Sequence, residues 1–250
     1  MSTTAPRSDL HATRGTLYLI PVALGESTPW PAFLPAQAQA IAAGLRRFVV
    51  ETARSARAHL KQLAYPHPLR ETDIRELPAD GPGATAALDA LLAPALAGED
   101  IGLMSDAGCP AVADPGARLV ARAHALGIRV APLVGPSSIL LGLMGSGLNG
   151  QSFAFHGYLP VDENERDAAL RALEDESRKL GRTQIFIETP YRNERMLDAL
   201  LKQLKPDTRL CIACELNTAN ETLLTRSVRE WRKGERPTLA RRPTLFLLLG

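Results

Sequence analysis

Two α/β domains are the fold that this 250-residue sequence predicts, on three observations. Short apolar, β-branched runs alternate with helix-compatible stretches through the first half, the pattern of a parallel sheet covered on both faces. At Val134 the character changes, and the next stretch, GPSSILLGLMGSGLNG, sets five Gly around one apolar core, Ile139 to Met144. That change places a junction, giving an N-terminal domain over 1–133 and a C-terminal domain over 134–250. Two strand-like runs near 209 and 222 then follow one another with no room for a helix between them, so the second sheet should be mixed.

The elements follow in order. Thr16 to Leu24, TLYLIPVAL, reads as a first buried strand ending at Gly25. Pro35 to Arg47 is Ala-rich with a basic last turn and suits a helix. Phe48 to Glu51 is a short strand, and Thr52 to Leu63 a helix with Arg54, Arg57 and Lys61 on one face. Tyr65 to Gly83 is polar and Pro-rich and reads as loop. The helix Ala84 to Ala97 leads into the strand Ile101 to Met104, and the helix Ala117 to Leu126 into the strand Arg129 to Leu133. After the junction come a strand at Ser152 to His156, a helix from Glu163 to Leu180, a strand at Gln184 to Glu188 and a helix from Tyr191 to Leu204. Strands at Arg209 to Leu216 and Thr222 to Arg226, a short basic helix and a last strand, Thr244 to Leu249, complete the chain.

The composition, 45% hydrophobic and 22% charged, is that of a soluble globular protein. No apolar run approaches the roughly 20 residues of a membrane span, and MSTTAPRSDLHATRG lacks the apolar core of a signal peptide. A cytoplasmic protein with no membrane partner is expected, with disorder confined to the first dozen residues. Three Cys argue against a disulfide framework, and in CIACEL the strand pattern sends Cys211 and Cys214 to opposite faces, so they read as structural. The His at 11, 59, 67, 124 and 156 have no ligand-like spacing, and no metal is expected.

The net charge is only +2, but six basic residues face one acid from Arg46 to Arg70, and seven face two from Thr222 to Gly250. Such regions suit either a polyanion-facing surface or ordinary solvated faces. Several strand ends stop at Gly or Pro beside a polar residue: ALGES, SDAGCP, GPSS, HGYLP and ETPYR. Phosphate-cradling and nucleophile-elbow motifs are missing, with no GxGxxG, GxxxxGK[ST] or GxSxG. In open α/β sheets ligands bind at strand carboxyl ends, and Asp106, held there by Gly and Pro, is the first candidate. Asp114 and Pro115 read instead as an N-cap and first helical residue of the following helix.

The order of these motifs resembles the class III S-adenosylmethionine methyltransferases known as tetrapyrrole methylases, nearest to their branch of the ribosomal RNA small-subunit methyltransferase I. The residues that carry the resemblance are GTLYLI (15–20), ETAR (51–54), SDAGCP (105–110), DPG (114–116), GPS (135–137), SGL (146–148), GYLP (157–160) and ETPYR (188–192). Glu215 and Leu216, then Glu221 and Thr222, continue it. The resemblance implies two α/β domains with S-adenosylmethionine in the cleft between them, within a homodimer. Its cofactor contacts would fall on Leu24, Asp106, Gly108, Cys109, Ser137, Ser138, Ile187, Glu188, Leu216, Pro243 and Thr244. The RNA-methylating branch has EDTRHT where this chain has Glu51, Thr52, Ala53, Arg54, Ser55, Ala56, so the second acid and the His are gone. The first loop reads Gly25, Glu26, Ser27 in place of Gly-Asn-Leu.

The cofactor half of the pattern is intact and the substrate half altered. The expected function is therefore methyl transfer from S-adenosylmethionine to a ribose 2′-hydroxyl of small-subunit ribosomal RNA, with no DNA partner. Glu51 would orient or deprotonate the hydroxyl and Arg54 hold an adjacent phosphate; an intrahelical Glu51–Arg54 ion pair is the plainer alternative. A tetrapyrrole or other small-molecule acceptor, and a non-catalytic cofactor- or RNA-binding module, remain open.

Overall fold

In the computed structural model, which describes residues 14–25 and 28–250, the chain separates into two compact units. One consists of Met1–Ala23 and Pro29–Gly135, the other of Leu24–Thr28 and Pro136–Gly250. Residues 1–13, His11 among them, and Glu26 and Ser27 of the first loop lie outside the described residues.

The first unit is a parallel five-stranded sheet with order β3-β2-β4-β1-β5. Its strands are β1 (Thr16–Leu19), β2 (Arg47–Val50), β3 (Asp73–Glu76), β4 (Ile101–Met104) and β5 (Arg129–Pro132), and its helices α1 (Ala36–Gly44), α2 (Ala53–Gln62), α3 (Ala84–Leu96) and α4 (Ala117–Ala125). Strand alternation divides the core: Phe48 and Val50 join Ile20, Trp30 and Leu60 on one face, while Val49 joins Leu17, Leu92, Leu103 and Leu119 on the other.

Three expectations change here. The stretch read as loop from Tyr65 to Gly83 contains β3, paired in parallel with β2. Its sequence, DIRE, has one apolar residue, because an edge strand is held by backbone bonds and tolerates charge. Arg47 bridges it from β2, 2.7 Å from Asp73. The first strand is shorter than expected, since Pro21 has no N–H to donate; Ile20 N still donates to Leu103 O at 2.9 Å, and Val22 makes an isolated bridge to Gly108. Asp114 is not the cap of α4. Its Oδ1 accepts from Gly116 N at 2.6 Å and from Ala111 N at 2.9 Å, which closes the loop on itself, and Gly116 takes the cap position.

The second unit is a mixed sheet of order β6-β7-β10-β8-β9, formed by β6 (Phe153–Tyr158), β7 (Thr183–Ile187), β8 (Arg209–Cys214), β9 (Thr222–Ser227) and β10 (Thr244–Leu249). Only β6 and β7 pair in parallel, and β8–β9 is the expected hairpin. One face is covered by α6 (Glu163–Leu180), α7 (Asn193–Gln203) and α8 (Val228–Lys233), the other by α5 (Ser138–Ser146). Cys211 and Cys214 lie on opposite faces of β8, and burial pushes the Cys211 thiol up to about 11. Neither is disulfide-bonded, and both are structural.

Four arginines of the basic stretch after Thr222 are engaged within the chain. The Arg226 guanidinium lies 4.8 Å from the Trp231 ring centre, and Arg232 donates to the carbonyls of Leu201 and Leu204 at the end of α7. Arg236 pairs with Asp198 at 3.1 Å and Arg242 with Glu215 at 2.7 Å. Those four positions are ordinary structural contacts and not a polyanion surface.

Candidate functional site

In the first unit the site grows from β4, whose four residues are all buried and which stops at the carboxyl edge of the sheet. Ser105 turns inward and donates to Ala107 O at 3.1 Å, leaving Asp106 exposed. Gly108 follows at φ 71°, a conformation that an L side chain rarely adopts, with Ala111 and Ala113 also at positive φ. Strained non-glycine residues persist only where surrounding contacts hold them, and here the Asp114 carboxylate does so. Cys109 is half-buried, and burial raises its thiol above the ordinary value.

Asp106 is held at three points, all from the β2–α2 segment. Its N–H donates to Glu51 Oε2 at 3.0 Å, its Oδ2 accepts from Thr52 Oγ1 at 2.9 Å, and His59 Nε2 lies 3.1 Å from its carbonyl oxygen. Thr52 occupies the N-cap of α2 without capping it; Glu76 of β3 accepts from Ala53 N at 2.8 Å instead, which frees the threonine hydroxyl for Asp106. Sequence reasoning paired neither Thr52 nor His59 with Asp106, because the contacts span 54 and 47 residues. The intrahelical Glu51–Arg54 ion pair does not form among the described residues: Glu51 turns to the loop, and Arg54, Arg57 and Lys61 are exposed.

Burial pushes the Glu51 carboxyl above its ordinary value; the Asp106 N–H works against this, and the Asp106 and Asp114 charges add to it. Burial lowers the His59 imidazole, while the Asp106 carbonyl and carboxylate favour its charged form. Its Nδ1 is buried without a partner among the described residues, so a proton added there has no acceptor. Because the folded value lies below the unfolded one, the unfolded chain binds the proton first as pH falls. His59 therefore contributes stability that is present above about pH 6.5 and lost as pH falls through its folded value. Melting temperature should fall between pH 7.5 and 5.5 in the native chain and fall less in His59→Gln; equal slopes would show that His59 is not the group responsible.

In the second unit, Leu24, Ile187 and Leu216 join one apolar cluster with Leu143 and Leu245. Pro243 O accepts from Glu215 N at 2.9 Å, which sets Pro243 beside Leu216, and Thr244 is buried against Cys214. Ser137 is the N-cap of α5 yet makes no side-chain cap bond, and Ser138 opens the helix. Glu188 is buried, its Oε1 accepting from Thr189 N at 2.6 Å and from the Arg192 guanidinium at 2.6 and 3.0 Å. It builds the turn after β7. Gly135 of GPS belongs to the first unit, where an added Cβ would stand 2.2 Å from Pro21 Cβ, so only glycine fits. Among the described residues no group of His, Cys, Asp or Glu could hold a metal ion.

A parallel sheet with a clamped acid at one strand end, followed by a mixed sheet with an apolar cluster on one face, defines a two-unit α/β protein. The chain belongs to the Tetrapyrrole (Corrin/Porphyrin) Methylases, whose family model matches residues 34–231. It is similar to "Ribosomal RNA small subunit methyltransferase I" of Mesorhizobium japonicum, 40% identical over 139 residues, which cover 56% of this chain and 46% of that protein. The protein of the same name from Pseudomonas aeruginosa is 39% identical over 126 residues, 50% of this chain and 43% of that one. The chain spans about half the length of the curated relatives it matches. In fold it is similar to the methyltransferase CobJ, with TM-score 0.58 and 17% identity over 96% of this chain and 95% of that one. It is also similar to a Thermus thermophilus uroporphyrin-III C-methyltransferase complexed with S-adenyl homocysteine, with TM-score 0.54 and 18% identity over 94% and 97% of the two chains.

Proposed function

We propose that the chain is an S-adenosylmethionine-dependent methyltransferase acting on a ribose 2′-oxygen of small-subunit ribosomal RNA. The observation that carries this reading is the β2–α2 segment. It grips Asp106 through Glu51, Thr52 and His59 and carries Arg54, Arg57 and Lys61 on α2, all three exposed and without an ion-pair partner among the described residues. One rigid piece thus joins the cofactor loop to a cationic helix, and the names of the relatives support RNA as the acceptor.

The residues present fit the cofactor. Asp106 Oδ1 has no partner among the described residues and suits a hydroxyl or ammonium, the Ser137 hydroxyl is free of its cap, and Leu24, Ile187 and Leu216 offer an apolar wall. Gly108, Cys109, Ser138, Glu188, Pro243 and Thr244 complete the proposed contacts. The bound cofactor supplies an electrophilic methyl on a sulfonium. The chain aligns the hydroxyl with it, excludes water, and takes the hydroxyl proton on Glu51, whose raised basicity suits that role. Arg54 holds a neighbouring phosphate. We place the protein in the cytoplasm as a homodimer; a mass of 27 kDa by light scattering would count against the dimer.

Salt dependence tests the RNA reading. Each phosphate contact contributes about 0.7 to the log–log salt slope for a single strand, so replacing Arg54, Arg57 and Lys61 by alanine should flatten it by about 2. A native slope near zero, or a triple variant with the native slope, would move the acceptor to a small molecule such as a tetrapyrrole.

A further inference from the structure

Two tyrosines stand in water at one edge of the second unit's sheet: Tyr158 is 58% exposed and Tyr191 81%. β6 and β7 run parallel as neighbours with Tyr158 opposite Ile187, so Tyr158 and the Glu188–Arg192 turn leave the sheet at the same carboxyl end. Neighbouring strands are roughly 4.8 Å apart, so the two residues stand at the same end of adjacent strands. Neither ring has an aromatic or hydrogen-bond partner among the described residues.

The mount under Tyr191 is stiff. Glu188 ties Thr189 N and Arg192 together, Arg192 N donates to Thr189 O at 2.9 Å, Arg241 N donates to Pro190 O at 3.0 Å, and Asn193 Nδ2 donates to Arg242 O at 2.7 Å. An ordered turn that holds an aromatic ring out of the core loses the stabilisation of burying it, and it pre-pays the entropy of presenting that ring to a partner. Exposed cations stand beside the Tyr191 turn. Arg195 and Arg241 are exposed without ion-pair partners among the described residues, and the nearby Glu194 carboxylate is taken by Leu239 N at 2.6 Å and Ala240 N at 3.0 Å. Of the acids after Val161, Asp162 caps α6, Glu163 lies 4.0 Å from Lys202, and Glu165 is exposed in the first turn of α6.

We propose that Tyr158 and Tyr191 form a stacking platform for unpaired bases of RNA, with Arg195 and Arg241 holding its backbone. The proposal rests on the RNA reading above and adds where the bases are held. Aromatic faces accept any base, and sequence-tolerant stacking beside cations is how proteins bind single strands.

The test uses the full chain and an unstructured RNA oligonucleotide carrying 2-aminopurine, whose fluorescence falls on stacking. Native protein should quench the probe, and Tyr158→Ala and Tyr191→Ala should each weaken binding about tenfold, within the range for one stacked base. Tyr191→Phe should bind within about twofold of native, roughly 0.4 kcal/mol, because the ring face is retained. Unchanged melting temperatures keep the comparison to the surface. Alanine variants that bind and quench as the native chain does, or that change only the oligomeric state by light scattering, would overturn the platform. If the native chain methylates small subunits while the alanine variants do so equally well, the platform alone falls; if it neither binds nor methylates RNA, the acceptor reading falls as well.

Discussion

Asp106→Ala is expected to weaken S-adenosylmethionine binding about tenfold or more while the chain keeps its fold. A hydrogen bond to a charged group is worth roughly 1.5–3 kcal/mol, and about 1.4 kcal/mol is a factor of ten in affinity. The fold should survive because Asp106 is exposed on a loop and its hydrogen bonds with Glu51 and His59 use its backbone, which alanine retains. The carboxylate does make one internal contact, with Thr52 Oγ1 at 2.9 Å. Thr52→Val separates the two roles: it should leave the melting temperature within a few degrees and weaken the cofactor less than Asp106→Ala does. Calorimetric titration reads both variants. An Asp106→Ala affinity within twofold of native, accompanied by a lowered melting temperature, would make the residue a structural loop contact and nothing more.

Trp231→Ala is the substitution expected to cost the most stability. Its ring is 1% exposed in the core under α8, its Nε1 donates to Leu210 O at 2.9 Å, and the Arg226 guanidinium packs on its face. Truncating a buried Trp to alanine costs about 3–5 kcal/mol, which lowers the melting temperature by roughly 10 °C in a chain of this size. Trp231→Phe keeps most of the volume and loses the hydrogen bond, so a smaller loss is expected. A calorimetric scan in which alanine and phenylalanine cost the same would show that packing is not what the residue supplies.

The sequence made most of this architecture legible where chemistry is local. β4 begins and ends at the residues its apolar run marks, because an all-buried strand in a parallel sheet is apolar throughout and stops at the first polar residue. The α6 boundaries follow from Asp162 as cap and Gly181 in the left-handed region at its end. β3 was hidden because an edge strand made of Asp, Ile, Arg and Glu carries no alternation to read. The three-point hold on Asp106 was hidden for another reason. Its partners come from a segment whose own signals, an acid before a basic helix, suggested a substrate role for Glu51 and Arg54 or, more plainly, an ion pair between them. Tertiary packing sent the Glu51 carboxylate to the loop, and it left the Arg54 side chain exposed. The arginines after Thr222 show the converse, since the same residue type that suggests a polyanion surface in a count serves here to cap α7 and cover Trp231.

Methyl transfer tests the account at its centre. Purified protein and S-adenosylmethionine labelled at the methyl should be incubated with small ribosomal subunits from a strain lacking this protein, with Glu51→Gln alongside. The account predicts label in the ribosomal RNA, at a ribose position that resists alkaline cleavage, and a large loss of rate in Glu51→Gln with cofactor affinity kept. Label that enters only small molecules, or no label in RNA from a protein that binds the cofactor, would contradict it.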